Sequence, residues 1–257
     1  MTEIRRVAIV TGGGTGIGAA AAQRLALGAT AVAIIGRRED VLVRTAGVIS
    51  AAGGTILPIV ADLADAGAPA RIVERVTSEW GRLDIVVNSA ASIKHGTLDE
   101  VRVETLDDHF AVNVRAPYLL IQAALPWLRR SDSAAIVNIS SSSGSLSIPG
   151  QSVYGMTKAA LEYITRSLAA ELAPDRIRVN AIAPGPVDTP IHLVWAGDDL
   201  EGAYRRMAAE VPLGRMASAD ELAVWITNLT DPEGSWVTGA VIPVDGGQTL
   251  NGAMSKI

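Results

Sequence analysis

The chain has 257 residues, 49% of them hydrophobic, no cysteine and a formal net charge of −5. A chain without cysteine has no disulfide, thiolate nucleophile or cysteine-ligated metal, and its acidic balance argues against nucleic acid as a partner. The hydrophobic residues fall in short segments, which argues against a membrane span or signal-peptide core, so a cytoplasmic protein is expected.

The first predicted element is a buried parallel strand at 6–10, an apolar run that ends in Thr11-Gly-Gly-Gly-Thr-Gly-Ile-Gly18. A helix rich in small residues follows at 19–27. Glycines between such a strand and such a helix let the backbone approach a pyrophosphate, and the helix start presents free N–H groups to it. A second strand at 31–35 leads into Gly36-Arg37-Arg38, which opens the next helix. Further strands are expected at 55–61, 83–88, 134–140, 178–183 and 240–244. Between them, a helix at 68–80 carries Ile72, Val73, Val76 and Trp80 on one stripe, and Pro117 should kink the long helix after Leu106. Repeated βα units without a linker predict one domain over 1–257, a Rossmann-like doubly wound α/β fold. Its parallel sheet of about seven strands is covered by helices on both faces.

His95, His109 and His192 lie far apart, so no metal site is expected. Asp107-Asp108 and Arg129-Arg130 read as solvated helix surface. The chain has only three lysines, and Lys158 stands four residues after Tyr154, one helical turn away on the same face. An ammonium beside a phenol favours the phenolate. Lowering a tyrosine from about 10 to neutrality takes about 4 kcal/mol, which one positive charge about 4 Å away supplies at an effective dielectric near 20. Tyr154 is therefore expected to titrate near neutrality and to give and take a proton. Arginine lacks the compact point charge this needs. Ser141 follows the apolar run 135–140, at the carboxyl edge of a strand, where open parallel sheets bind ligands. Taken alone, Ser141 and Tyr154 also fit a serine-rich turn and a packing residue.

With Asn113 in His-Phe-Ala-Val-Asn-Val, these residues resemble the motifs of the short-chain dehydrogenase/reductase family. Thr11, Gly12, Gly16 and Gly18 match its nucleotide signature, and Ser141, Tyr154 and Lys158 its reacting residues. Asn180-Ala-Ile-Ala-Pro-Gly-Pro-Val-Asp-Thr189 and Val244-Asp-Gly-Gly247 resemble its later motifs, so the likeness covers essentially the whole chain. It implies that Ser141 and Tyr154 hydrogen-bond a substrate oxygen while Tyr154 passes the proton and a hydride moves to or from nicotinamide. It implies that Lys158 holds ribose hydroxyls and supports the tyrosinate, and that Asn113 positions a water linking Lys158 to solvent. The implied cofactor contacts are Thr11, Gly12, Gly14, Thr15, Gly16, Ile17, Gly18, Asp62, Leu63, Asn88, Ser89, Ala90, Tyr154, Lys158, Pro184, Gly185, Val187 and Thr189. Among these, Asp62 would meet the adenine and Thr189 the nicotinamide amide.

An NAD-selective site carries an acidic side chain at the end of the second strand. Here Gly36 is followed by Arg37 and Arg38, at a helix start where positive charge is unfavourable, so NADP(H) is expected over NAD(H). One departure is Asn88-Ser89-Ala90-Ala91 in place of the family's Asn-Asn-Ala-Gly. A methyl at 91 would crowd the ribose, or force a new backbone angle if the usual glycine has positive φ. The implied substrate pocket is Ile93, His95, Ser143, Ile148, Gln151 and Trp195, under a covering loop at about 190–212. Ile191, His192, Leu193, Tyr204 and Met207 make that loop mostly apolar, which suits a hydrophobic or cyclic ketone and equally suits a subunit contact. No basic landing patch for an acyl carrier protein stands at Ala169-Ala170-Glu171. The reading is thus an NADP(H)-dependent ketoreductase-like enzyme, a homotetramer through the helices 106–128 and 152–172 and the segment from Trp236. The alternatives are an NAD-dependent alcohol or polyol dehydrogenase and a nucleotide-binding sensor without turnover.

Overall fold

The computed structural model describes residues 5–190 and 199–251. Short runs of Val, Ile and Ala, bounded by glycine or polar residues, form the strands. They are β1 (Arg6–Thr11), β2 (Thr30–Gly36), β3 (Ile56–Val60), β4 (Ile85–Asn88), β5 (Ala135–Ile139), β6 (Arg178–Pro184), β7 (Val187–Asp188), β8 (Ala217–Ser218) and β9 (Val241–Val244). Seven of them make one parallel sheet in the order β3-β2-β1-β4-β5-β6-β9, while β7 and β8 pair separately. The order reverses between β1 and β4, the point at which open parallel sheets form a ligand crevice outside the carboxyl ends of their strands.

The helices are α1 (Gly16–Leu27), α2 (Glu39–Ala51), α3 (Ala68–Trp80), α4 (Val103–Phe110), α5 (Ala116–Leu128), α6 (Ser152–Leu172), α7 (Leu200–Ala209) and α8 (Ala219–Thr230). Leu25, Leu42, Ile49, Leu222 and Ile226 of α1, α2 and α8 pack on one face of the sheet. Ile72, Val76, Leu120, Leu128 and Leu172 of α3, α5 and α6 pack on the other. With both faces covered, the central strands carry no polar alternation, and Val7, Ala8, Ile9 and Val10 are fully buried. The stripe on α3 forms as expected: Ile72, Val73 and Val76 are buried, each contributing roughly 1.5–3 kcal/mol.

The helix expected to kink at Pro117 changes form just before it. Between α4 and α5 the backbone widens into a π-helical turn at Ala111–Arg115, and Asn113 sits inside it. Pro117 follows directly, in helical backbone that continues from α4, and has no N–H to offer the Asn113 carbonyl four residues earlier. Among the described residues, no helix is long and apolar enough to cross a membrane.

Candidate active site

Strand β5 and helix α6 build the reacting end of the crevice. Ser141 follows β5, and its Oγ accepts the Ser143 N–H at 3.1 Å, capping the short turn Ser142–Gly144. Tyr154 and Lys158 lie on the inner face of α6, buried with Leu161, Glu162 and Thr165. The Lys158 ammonium donates to the Ile139 carbonyl at 2.8 Å and lies 5.4 Å from the centre of the Tyr154 ring. The phenol is hydrogen-bonded to Ser141. The three side chains that the spacing singled out thus meet at the end of one strand.

Their acidities differ from the expectation of a near-neutral tyrosine. Burial pushes the Tyr154 phenol up to about 12, against the opposing bond from Ser141. Burial draws Lys158 down to about 8, against the charge of Glu162. The ammonium turns to a strand carbonyl, and loss of water outweighs what it gives the phenol. At neutral pH the phenol is a protonated donor, and the ammonium beside it is the more readily deprotonated group.

Asn113 is committed to protein partners. Its Oδ1 accepts the Ser92 N–H at 2.7 Å, and its Nδ2 donates to the Ser92 carbonyl at 2.9 Å and to Thr157 Oγ1 at 3.0 Å. Thr157 Oγ1 in turn donates to the Tyr154 carbonyl at 2.7 Å. The amide thereby ties the segment after β4 to α6. Asp108, read as solvated surface, joins the same tie by accepting a hydrogen bond from Ser92 Oγ. Buried His109 completes it: one ring nitrogen meets the Thr105 carbonyl at 2.7 Å, and the other accepts the Lys94 N–H at 3.0 Å.

At the other end of the crevice, the glycine loop packs so closely on its neighbours that side chains at two of its positions would collide with backbone. Gly12 has φ +67, and a Cβ there would lie 2.9 Å from the Ala90 backbone; one on Gly18 would lie 2.4 Å from the Gly12 carbonyl. Thr15 caps α1 without a side-chain bond, and the first turn holds no acidic residue, so its N–H groups can receive an anion. Thr11 Oγ1 accepts the N–H groups of Ser89 and Ala90 at 3.0 and 3.1 Å. Thr11, Leu63, Asn88 and Ala90 come together beside Val112 and Ala116. A Cβ on Gly16 would lie 3.1 Å from Thr189 Cγ2, so the segment after β6 reaches this loop. Gly185 packs on Asp245, and Val187 is buried. Asp62 is exposed, with its Oδ1 accepting the Ala64 N–H at 2.9 Å. Gly14, whose carbonyl accepts from Thr45 Oγ1 at 2.9 Å, and Ile17 complete the loop. These features fit a dinucleotide.

A family model described as enoyl-(acyl carrier protein) reductase matches residues 12–249. The chain belongs to the short-chain dehydrogenase/reductase family. A 3-oxoacyl-[acyl-carrier-protein] reductase of Thermotoga maritima is 35% identical over 248 residues, covering 95% of this chain and 98% of that one. A short-chain dehydrogenase/reductase from Serratia marcescens superposes with a TM-score of 0.89 at 35% identity, covering 97% of this chain and 100% of that one. A blue fluorescent protein from a metagenomic library, solved in complex with NADPH, gives a TM-score of 0.88 at 32% identity, covering 96% and 99%. The protein is thus a short-chain dehydrogenase/reductase enzyme, and this family binds a nicotinamide cofactor.

Within that family frame, the unusual Asn-Ser-Ala-Ala segment costs no strain, because Ala91 is not among the residues with positive φ. Arg37 and Arg38 follow β2, both exposed, and neither makes an ion pair among the described residues. The substrate residues are only partly gathered. Ser143 Oγ donates to Gln151 Oε1 at 2.8 Å and receives a bond from Ser141 Oγ at 3.2 Å. Ser143, Ile148 and Gln151 also line a groove of about 500 Å³ with Met156 and Ala159, but Ser141, Tyr154 and Lys158 do not. That groove flanks the reacting residues rather than enclosing them. Ile93 is half-buried and His95 exposed on the segment that Asn113 holds. Trp195, Ile191, His192 and Leu193 lie outside the described residues. Tyr204 donates to Asp188 Oδ1 at 2.8 Å, tying α7 to β7.

Sequence reasoning passed over Glu162, Thr157 and Asp108. Glu162 stands one turn beyond Lys158, and an acid placed on the buried face of a helix is the signal that could have found it.

Proposed function

We propose that the enzyme interconverts a ketone and a secondary alcohol with NADP(H), on a small hydrophobic or cyclic substrate. The observation that carries this reading is the meeting of Ser141, Tyr154 and Lys158 at the carboxyl end of β5. The Ser141 and Tyr154 hydroxyls lie side by side, and each can turn its one proton from its neighbour to an entering carbonyl oxygen. Tyr154, held protonated by burial, gives that oxygen its proton. Lys158 then faces a phenolate 5.4 Å from its ammonium at the ring centre, stabilises it and supplies the replacement proton. Asn113 keeps the segment carrying Ile93 and His95 in register with Tyr154 through Ser92 and Thr157.

The nicotinamide cofactor, when bound, supplies or takes the hydride. Gly12, Gly16, Gly18 and the start of α1 would hold its pyrophosphate, and Thr189 and Lys158 its nicotinamide side. Arg37 and Arg38 would take a 2′-phosphate through paired hydrogen bonds, since they lie at the carboxyl end of β2, Arg38 as the N-cap of α2 ahead of Glu39 and Asp40. The NADPH complex of the metagenomic relative supports this preference. The name of the Thermotoga relative, a 3-oxoacyl-[acyl-carrier-protein] reductase, supports carbonyl reduction as the reaction.

The chain is further proposed to act as one cytoplasmic domain under a covering segment at 190–212, and to assemble as a homotetramer. Exposed Tyr118, Met156 and Tyr163 on α5 and α6, with Trp236 fully exposed near the carboxyl end, support assembly. The direct test is a carbonyl and alcohol panel read by nicotinamide absorbance with NADPH, NADH and their oxidised forms. Turnover of cyclic ketones with NADPH is expected. Cofactor binding without turnover across the panel would favour a sensor, and higher kcat/KM with NADH would overturn the cofactor assignment.

A further inference from the structure

Glu162 is 6% exposed, on the inner face of α6 one turn beyond Lys158. Its Oε1 accepts the Ser140 hydroxyl at 2.7 Å, and Ser140 Oγ also lies 3.4 Å from the Lys158 carbonyl. The carboxylate lies directly under the Ser142–Gly144 turn: a Cβ on Gly144 would stand 2.6 Å from Glu162 Oε1. One buried carboxylate thus touches the residue before Ser141, the turn after it and the helix face that carries Lys158. Burying such a charge is costly unless it is hydrogen-bonded and paired. A packing role alone would be met by an apolar side chain at lower cost.

We propose that Glu162 is a positioning residue of the reaction, a buried countercharge that keeps Lys158 cationic beside Tyr154 and locks the Ser140–Ser141 end of β5 against α6. The surrounding charges leave it alone in this role. Asp108 of α4 receives Ser92 Oγ, His109 bridges Thr105 and Lys94, and Arg115 of the π turn donates to the Ala64 carbonyl. Asp175 after α6 is paired with Arg129, and Arg178 of β6 donates to the Leu229 carbonyl at the far edge. Arg166, one turn on, is exposed and makes no ion pair with Glu162. Glu162 is the carboxylate whose charge opposes the loss of the Lys158 proton caused by burial.

This inference rests on Lys158 as the partner of Tyr154, and its test avoids turnover so that the two can fail separately. The chain has three lysines, Lys94, Lys158 and Lys256, so protein labelled with ¹³C-lysine gives three side-chain signals to follow by NMR against pH. Lys158→Arg identifies the Lys158 signal. In wild type it is expected to titrate at about 8. Glu162→Gln keeps the shape and the acceptor for Ser140 but removes the charge, and should lower that midpoint by about one pH unit. Ser140→Ala keeps the charge and should leave the midpoint within a few tenths. Should Glu162→Gln not fold, Glu162→Asp carries the same downward expectation at smaller size. An unmoved or raised midpoint in the Glu162 variants, or an equal fall in Ser140→Ala, overturns the proposal. Failure of the Tyr154–Lys158 reading would appear instead as turnover surviving in Tyr154→Phe.

Discussion

The two edges of the sheet are built from the same strands and treat polar groups in opposite ways. At the amino edge, Asp84 is 1% exposed and fully engaged. It accepts from the Val7 N–H at 2.8 Å, Ser131 Oγ at 2.6 Å and both ends of the Arg82 guanidinium. Arg178 donates to the carbonyls of Leu229 and Asp231, and Arg6 to that of Thr230. At the carboxyl edge Thr15 caps α1 without a side-chain bond, Arg37 and Arg38 make no ion pair among the described residues, and burial pulls Lys158 and Tyr154 away from their ordinary acidities. Satisfied groups fasten strands together; unsatisfied ones hold binding free energy in reserve for a ligand. The comparison teaches that perturbation by itself does not mark function, since burial lowers Arg178 as well; what sets the carboxyl edge apart is perturbed groups that stand beside open donors.

The division breaks most sharply at Tyr154. Tyr154→Phe should lower turnover about a thousandfold while NADPH affinity stays within about twofold, because the variant loses only the proton it transfers. Stopped-flow rates and cofactor fluorescence check this, and more than about a tenth of wild-type turnover would sink the mechanism. At the opposite edge, Asp84→Ala should cost about 2 kcal/mol in urea unfolding, since it leaves the Val7 N–H and the Ser131 hydroxyl without their acceptor, while half-exposed Arg82 turns to water. Cofactor affinity in the folded fraction should not change, and a loss of affinity without a loss of stability would invert the comparison.

The pH dependence is the next effect in size. Lys158 is drawn down to about 8, so its proton is present below that pH and lost above it. Carbonyl reduction should hold steady up to pH 8, then fall about tenfold per unit as the replacement proton disappears. Lys158→Arg, which stays charged, should abolish that fall while lowering the plateau; a fall that persists in the variant would assign it to another group. Smallest is Arg37→Ala, expected to raise the KM for NADPH about fivefold and to spare NADH, the loss of one exposed charge-assisted contact. Equal effects on both cofactors would remove Arg37 from the phosphate site.

Much of the fold was legible because its signals are local. Apolar runs at 6–10, 31–35 and 178–183 announce strands buried on both faces, and the glycines of Thr11-Gly-Gly-Gly-Thr-Gly-Ile-Gly18 announce a close backbone approach. The Tyr154–Lys158 pair was legible because a helix converts a spacing of four into a shared face. Pro117 marked where the long helix changes, but the form of the change, a π turn at Ala111–Arg115, depends on backbone bonding that the residue pattern does not specify.

The sequence by itself determined the order of elements, the parallel sheet and which side chains reach its carboxyl edge, since all of these follow from periodicity and neighbours along the chain. Only the tertiary structure decided the acidities of Tyr154 and Lys158, the commitment of Asn113 to Ser92, and the place of Glu162 beneath the Ser141 turn. Desolvation and long-range hydrogen bonds depend on what the rest of the fold brings against a residue. That is why a charge pair read along one helix predicted a tyrosine near neutrality, while the packed interior made it a weaker acid than tyrosine in water.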